Sequence, residues 1–204
     1  MNKIILPKIK KKLIDIKYLD FNSCVENSAI ENMIFNNNVE NIEFNGCRFK
    51  NVSFKNLKDC EFIDVIIENC NLSNSSFIDK GFHRVIFKNC NVMGCSFINC
   101  SFNNIIIDKC KGSFANISNC KINNFRIIDS NFKELSFKNN NCKNIEFYNN
   151  DFTNSEFINS NLKDVDFSNS IIDGIKIDTN SVSGIIVNDI QALMLISLFG
   201  IKVK

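Results

Sequence analysis

The chain has 204 residues, with 24 Lys and Arg against 22 Asp and Glu, a formal net charge of +2 and 45% hydrophobic residues. That is enough apolar side chain for one buried core, and too little excess charge, at a pI near 8.0, for a general nucleic-acid binder. The apolar run Ile4–Leu6 is too short for a secretory signal, so a cytoplasmic location and reduced cysteines are expected.

Residues 1–21 lack any repeat. Ile4-Ile5-Leu6-Pro7-Lys8-Ile9 reads as a strand capping one end of the fold, with Lys10-Lys11-Lys12 as its exposed end. A repeat unit follows over residues 22–188. Its first register holds Val39, Phe44, Phe49 and Phe54. Breaks are expected near Asn36–Asn38 and, as a bulge or short loop, near Lys55–Leu57.

From Leu57 to Val187 every fifth residue is apolar, through Phe62, Ile67, Leu72, Phe77 and onward; of these 27 positions only Gly112 lacks an apolar side chain. A period of five fits neither helix nor flat strand. It describes a chain that turns a corner every five residues and points one side chain inward each time. The residue two before each central position is usually small, as at Cys70, Ser75, Cys90, Cys95 and Cys100. It is larger at Val65, Val85, Ile105, Phe125, Ile145, Val165 and Ile185, which lie 20 residues apart. Four pentapeptides therefore make one coil. Stacking at the strand spacing gives an all-β fold: a right-handed quadrilateral parallel β-helix of seven to eight coils, roughly 35 Å long. The 36 Asn residues suit the corners, where Asn tolerates the required backbone; Asn139-Asn140-Asn141 and Asn149-Asn150 are placed there.

Residues 189–204 leave the period. Asp189 can cap a helix running Ile190 to Phe199, with Gly200 just past its end. This helix is apolar nearly all round and too short to span a bilayer. One face can cover the last coil. The other predicts a twofold homodimer through Ile190, Leu193, Met194, Ile196, Leu198 and Phe199.

No residue set suggests a reaction centre, and neither a metal nor a cofactor is expected. The ten cysteines read as small core residues. Cys90 and Cys110, or Cys100 and Cys120, would stack within disulfide reach, but the expected compartment favours free thiols. Cys90, Cys95 and Cys100 lack metal-ligand spacing. His83, the single histidine, follows an inward Phe and should face solvent without a catalytic partner. Gly112 reads as a core irregularity.

Units such as Cys70-Asn71-Leu72-Ser73-Asn74, Cys100-Ser101-Phe102-Asn103-Asn104 and Ser160-Asn161-Leu162-Lys163-Asp164 resemble the pentapeptide-repeat family. The resemblance covers about four fifths of the chain and implies the same quadrilateral β-helix. The segment Gln191-Ala192-Leu193 to Leu198-Phe199-Gly200-Ile201 is similar to the dimerising tail of quinolone-resistance members. Some members resemble B-DNA in width and charge and occupy the DNA groove of DNA gyrase.

Charge is segregated. Residues 80–143 hold ten basic and three acidic residues, and residues 144–189 two basic and eight acidic. The first functional expectation is a non-enzymatic scaffold presenting a rigid surface to a cytosolic protein. The alternative is a DNA-mimicking gyrase or topoisomerase modulator using Glu146, Asp151, Glu156, Asp164, Asp166, Asp173 and Asp178. Direct nucleic-acid binding by Lys88, Lys109, Lys111, Lys121, Arg126, Lys133 and Lys138 is disfavoured, because the Phe residues should point inward and offer no stacking surface.

Overall fold

The computed structural model describes residues 3–18, 24–198 and 200–202. Every fifth residue from Asp59 to Asp164 has a positive φ, Gly94 included. Among the described residues 25 non-glycine positions do so, 16 of them Asn and five Asp. These short polar side chains bear the left-handed conformation at least cost, which is why the sequence is rich in Asn. Each corner swings the chain onto a new face.

The corners produce a four-sided parallel β-helix of about eight turns. The first two faces form one parallel sheet, whose regular part is Glu61–Glu68, Gly81–Lys88, Ser101–Asp108, Lys121–Ile128 and Asn141–Tyr148. Register is 20 residues: Phe62 lies on Phe82, Phe82 on Phe102, and Phe102 on Ile122. The fourth face is a second parallel sheet that includes Ser76–Ile78, Ser96–Ile98, Asn116–Ser118, Ser136–Lys138 and Glu156–Ile158. The third face is joined by single bridges, through Asn71, Asn91, Lys111, Asn131, Asp151 and Ile171.

Of the five-residue series, all members from Leu57 to Ile177 are buried, while Val182 and Val187 are only partly so. Aromatic rings stack coil on coil, Phe62 on Phe82 at 5.3 Å and Phe82 on Phe102 at 5.1 Å. Gly112 is buried, and a Cβ there would overlap the Phe132 ring of the next coil, so the missing side chain makes room for that ring. The small inward slot serves hydrogen bonding as well as packing. Cys95 Sγ donates to the Leu72 carbonyl at 3.0 Å, and Ser155 Oγ to that of Phe132 at 3.0 Å. Only Asn139 and Asn149 of the Asn runs are corners. Asn140 and Asn150 occupy the inward slot, 3% and 2% exposed, where each donates to a carbonyl below and accepts an amide. A buried amide with both ends bonded is as compatible with this slot as a serine.

The first coils are tighter. Phe44 pairs with Phe62, 18 residues on, and Val25 with Phe44, 19 on. Two continuous strands, Ile34–Glu40 and Ser53–Lys58, replace the pair of short segments and the corner found in later coils. Their pairing shifts between Phe35 and Asn38. This shift lies opposite Lys55, so the irregularity expected near Lys55–Leu57 falls within a continuous strand rather than a loop.

The N-terminal segment corrects its sequence reading. Among its described residues only Ile14–Asp15 adds to the end of the sheet, pairing with Ser28–Ala29. Ile4–Ile9 instead runs along the flank. The Ile5 amide donates to Asn104 Oδ1 at 2.9 Å and the Lys8 amide to Asp64 Oδ1 at 2.8 Å. Three extended residues span about 10 Å, which matches the two coils between Asp64 and Asn104. The segment is thus a strap crossing the strands.

At the other end, α1 (Thr179–Val182) interrupts the register, capped by Asp178, which accepts the Ser181 amide. The final helix α2 (Asp189–Leu198) is capped by Asn188 rather than Asp189. Asn188 Oδ1 accepts the Gln191 amide, and Gln191 Oε1 accepts the Asn188 amide, both at 3.0 Å. This reciprocal capping box leaves Asp189 in the first turn, where the helix dipole favours it. Gly200 follows with φ +76°.

Candidate interaction surfaces

Helix α2 faces both ways. Leu195 and Gln191 are buried against the last coil, and Gln191 Nε2 donates to the Phe167 and Ser170 carbonyls at 3.0 and 2.7 Å. Of the expected dimer residues, Ile190 is 81% exposed, Leu193 52% and Leu198 49%. Met194 and Ile196 are partly buried, Met194 against the core. Phe199 lies outside the described residues. Nearby Ile186 and Ile201 are exposed too. The sequence alone did not separate the inward Leu195 from its neighbours, because the segment is apolar on every side.

The seven carboxylates do not share one face. Glu146 and Asp166 lie in one outer column of the second face, Asp151 and Asp173 on the third, and Glu156 on the fourth. Asp164 is a corner with φ +65° and Asp178 caps α1. Three are neutralised by cations of an adjacent coil. Arg126 reaches Glu146 at 2.6 Å and Lys133 reaches Asp151 at 3.2 Å. Lys138 and Lys176 both hold Glu156, the latter at 2.8 Å. Lys138 foremost, then Lys176, brings the Glu156 carboxyl down to about 2. Burial pushes Asp151 up, but bonds from Thr153 and Lys133 outweigh it and the net shift is downward. The seam between the basic and acidic blocks is thus stitched by ion pairs.

The basic residues are equally dispersed. Lys88 pairs with Glu68, and Arg126, Lys133 and Lys138 are the cations just described. Lys121 lies on the first face, Lys109 at a corner and Lys111 on the third face. Among the described residues these three have no ion pair.

His83 lies beside the Arg84 guanidinium on strand Gly81–Lys88. Partial burial, then the Arg84 charge, lowers its pKa, so the ring is neutral at pH 7. Arg84 grips Asp64 through Nε at 2.5 Å and Nη2 at 2.6 Å. This pair anchors the strap through Asp64 and leaves neither group free for chemistry. Where the strap ends, Ile4 borders a cleft floored by Phe125, Cys142 and Ile145 and rimmed by Arg126, Lys143, Glu146, Lys163 and Asp164. Its rim mixes both signs, and Arg126 and Glu146 are engaged with each other. Among the described residues no group of three or more His, Cys, Asp or Glu could hold a metal. No described helix is long and apolar enough to cross a membrane.

All ten cysteines are free; nine are buried and Cys24 is exposed. Cys70, Cys90 and Cys110 stack on successive coils, as do Cys100 and Cys120; their thiols donate to backbone carbonyls, and Cys110 Sγ accepts the Cys90 amide at 3.4 Å. Burial pushes Cys95 and Cys142 to about 12, and the Cys110 thiol does the same for Cys90. Cys90, Cys95 and Cys142 are therefore neutral core groups at pH 7.

Sequence reasoning missed one outward phenylalanine. Phe114 sits two residues after Gly112, at a corner with φ +62°, and is 57% exposed. The signal was present: in Cys110-Lys111-Gly112-Ser113-Phe114 the aromatic occupies the corner slot while glycine holds the inward one.

Residues 130–169 match the family described as Pentapeptide repeats, in 8 copies. Among solved structures, the chain is similar to HetL, a pentapeptide repeat protein involved in heterocyst differentiation regulation from the cyanobacterium Nostoc sp. strain PCC 7120. That match has 8% identity and a TM-score of 0.43 over 81% of this chain and 90% of the other. Full-length QnrB1, a plasmid-mediated fluoroquinolone resistance protein, matches with 22% identity and a TM-score of 0.35 over 87% and 90% of the two chains. Rfr23, a pentapeptide repeat protein from the cyanobacterium Cyanothece 51142, matches with 15% identity and a TM-score of 0.22 over 65% and 64%. No curated protein matches the chain.

Proposed function

We propose that this chain, a pentapeptide-repeat protein with eight repeats recognised over residues 130–169, is a non-enzymatic scaffold that presents a rigid β-helical surface to a protein partner and works as a twofold homodimer. The observation that carries this reading is the exposed apolar side of α2. Ile190, Leu193 and Leu198 turn away from the coil that Leu195 and Gln191 cover, and a second copy of the same face is their self-complementary partner. The chemistry-bearing side chains support it as well. The buried thiols, amides and hydroxyls of the inward slot are spent on bonds between coils, Arg84 is committed to Asp64, and Glu156 to two lysines. The DNA-mimicking alternative is disfavoured, since three of its seven carboxylates are paired and the set is divided among faces.

The dimer is tested by sedimentation velocity on the intact chain and on a variant carrying Ile190→Glu and Leu193→Glu. The intact chain should sediment at twice its 23.3 kDa mass and the variant at one chain mass. A variant that remains dimeric would place the interface elsewhere.

A further inference from the structure

Phe114 is the one exposed phenylalanine among the described residues; the others are all buried. It also stands where it costs most. Of the 25 positive-φ non-glycine residues, 21 are Asn or Asp, and a bulky aromatic in that conformation is strained. Strain kept at an exposed position, without a core contact to offset it, points outward to a ligand. The surroundings indicate which kind. Phe114 overhangs a shallow hollow lined by Ser73, Asn74, Asn91, Met93 and Gly94, in which Met93 is itself 37% exposed. Lys111 shares its pentapeptide, and Lys109 sits at the preceding corner; neither has an ion pair among the described residues. Lys133, one coil on, is held by Asp151, and Glu134 is the only carboxylate in the corner column beside Phe114. An aromatic anchor sharing a hollow with Met93, beside a second hollow lined by the unpaired Lys109 and Lys111, has the composition of an interface hot spot.

We propose that Phe114, Met93, Lys109 and Lys111 form a docking surface for an acidic protein segment, with an apolar side chain seated against Phe114 and Met93 and carboxylates facing the lysines. This rests on the scaffold reading and supplies the surface and partner class for it. Charge complementarity selects an acidic partner. Single-stranded nucleic acid would share the negative charge, but it uses several aromatic platforms, and this face offers one.

The test uses the full chain and a short fluorescent peptide of Glu, Asp, Leu and Phe, read by anisotropy. Control probes are the same peptide with Leu and Phe replaced by Ser, a Lys-for-acid version, and an oligothymidylate. The acidic apolar peptide should bind, the controls should not, and Phe114→Asn or Lys111→Glu should each weaken binding roughly tenfold. Asn is the ordinary residue at such corners, so Phe114→Asn should also raise the melting temperature by roughly 2–4 °C, which separates lost binding from lost folding. The proposal is overturned if the acidic peptide fails to bind, if Phe114→Asn leaves its binding unchanged, or if Phe114→Asn lowers the melting temperature. Oligothymidylate binding that Phe114→Asn removes would reassign the surface to nucleic acid. None of these results depends on whether α2 dimerises.

Discussion

At the residue scale the pentapeptide imposes a separate demand on each slot, and the exceptions are informative. Gly112 leaves a core slot empty because Phe132 fills it from the next coil. Gly112→Leu should therefore destabilise the fold by about 1–3 kcal/mol in urea unfolding, and adding Phe132→Ala should recover part of that. If the single substitution is neutral, the ring can move aside and the slot is not filled as described. The cysteines make a second prediction. Ellman's reagent should modify only Cys24 in the native protein, and slowly, because partial desolvation and the carboxylates of Glu43 and Glu26 push its thiol to about 11. The rate should climb with pH, and all ten should react after denaturation. Rapid native reaction at Cys90 or Cys95 would contradict a closed interior. These slots could be read in advance since small residues recur at every fifth position. That Asn140 and Asn150 also fill them could not, because their fit depends on carbonyls one coil away.

At the element scale, adjacent turns are held by hydrogen bonding, stacked rings and ion pairs that bridge coils. The pairs give the fold an acid limb. Glu156 has a folded pKa of about 2, depressed by Lys138 and then Lys176, against an ordinary value of 4.5. A depressed carboxylate stabilises the fold above its unfolded pKa, and that contribution is lost as pH falls from about 4.5 towards about 2. Burial raises the Asp64 carboxyl, but Arg84 and the Lys8 amide outweigh it and shift it the same way as Glu156. Thermal melts across this range should drop for the intact chain and flatten for Glu156→Gln; identical slopes would remove Glu156 from the account. The β-helix and its terminal helix were legible because a five-residue period has no other simple geometry. The strap was not. Ile4–Ile9 has the pattern of an edge strand, and only the positions of Asn104 and Asp64 on the flank reveal that it crosses the coils. The helix cap was misassigned by one residue, since Asn188 and Asp189 are both good caps and the reciprocal bond from Gln191 decides between them.

For the whole molecule, the two charge blocks recognised in the sequence meet at a seam that Arg126, Lys133 and Lys138 close onto Glu146, Asp151 and Glu156. The blocks were visible in the sequence; their mutual neutralisation needed the coil register. Two exposed features bear on function: the apolar side of α2 at one end, and Phe114 with its lysines along the third face. A rigid rod that joins its copy end to end would display two such faces at a fixed separation. The most direct test is small-angle X-ray scattering of the intact chain. The account predicts twice the 23.3 kDa chain mass and an elongated particle of roughly 80 Å, two solenoids joined at their C-terminal ends. A particle of one chain mass, or a compact side-by-side pair, would contradict it.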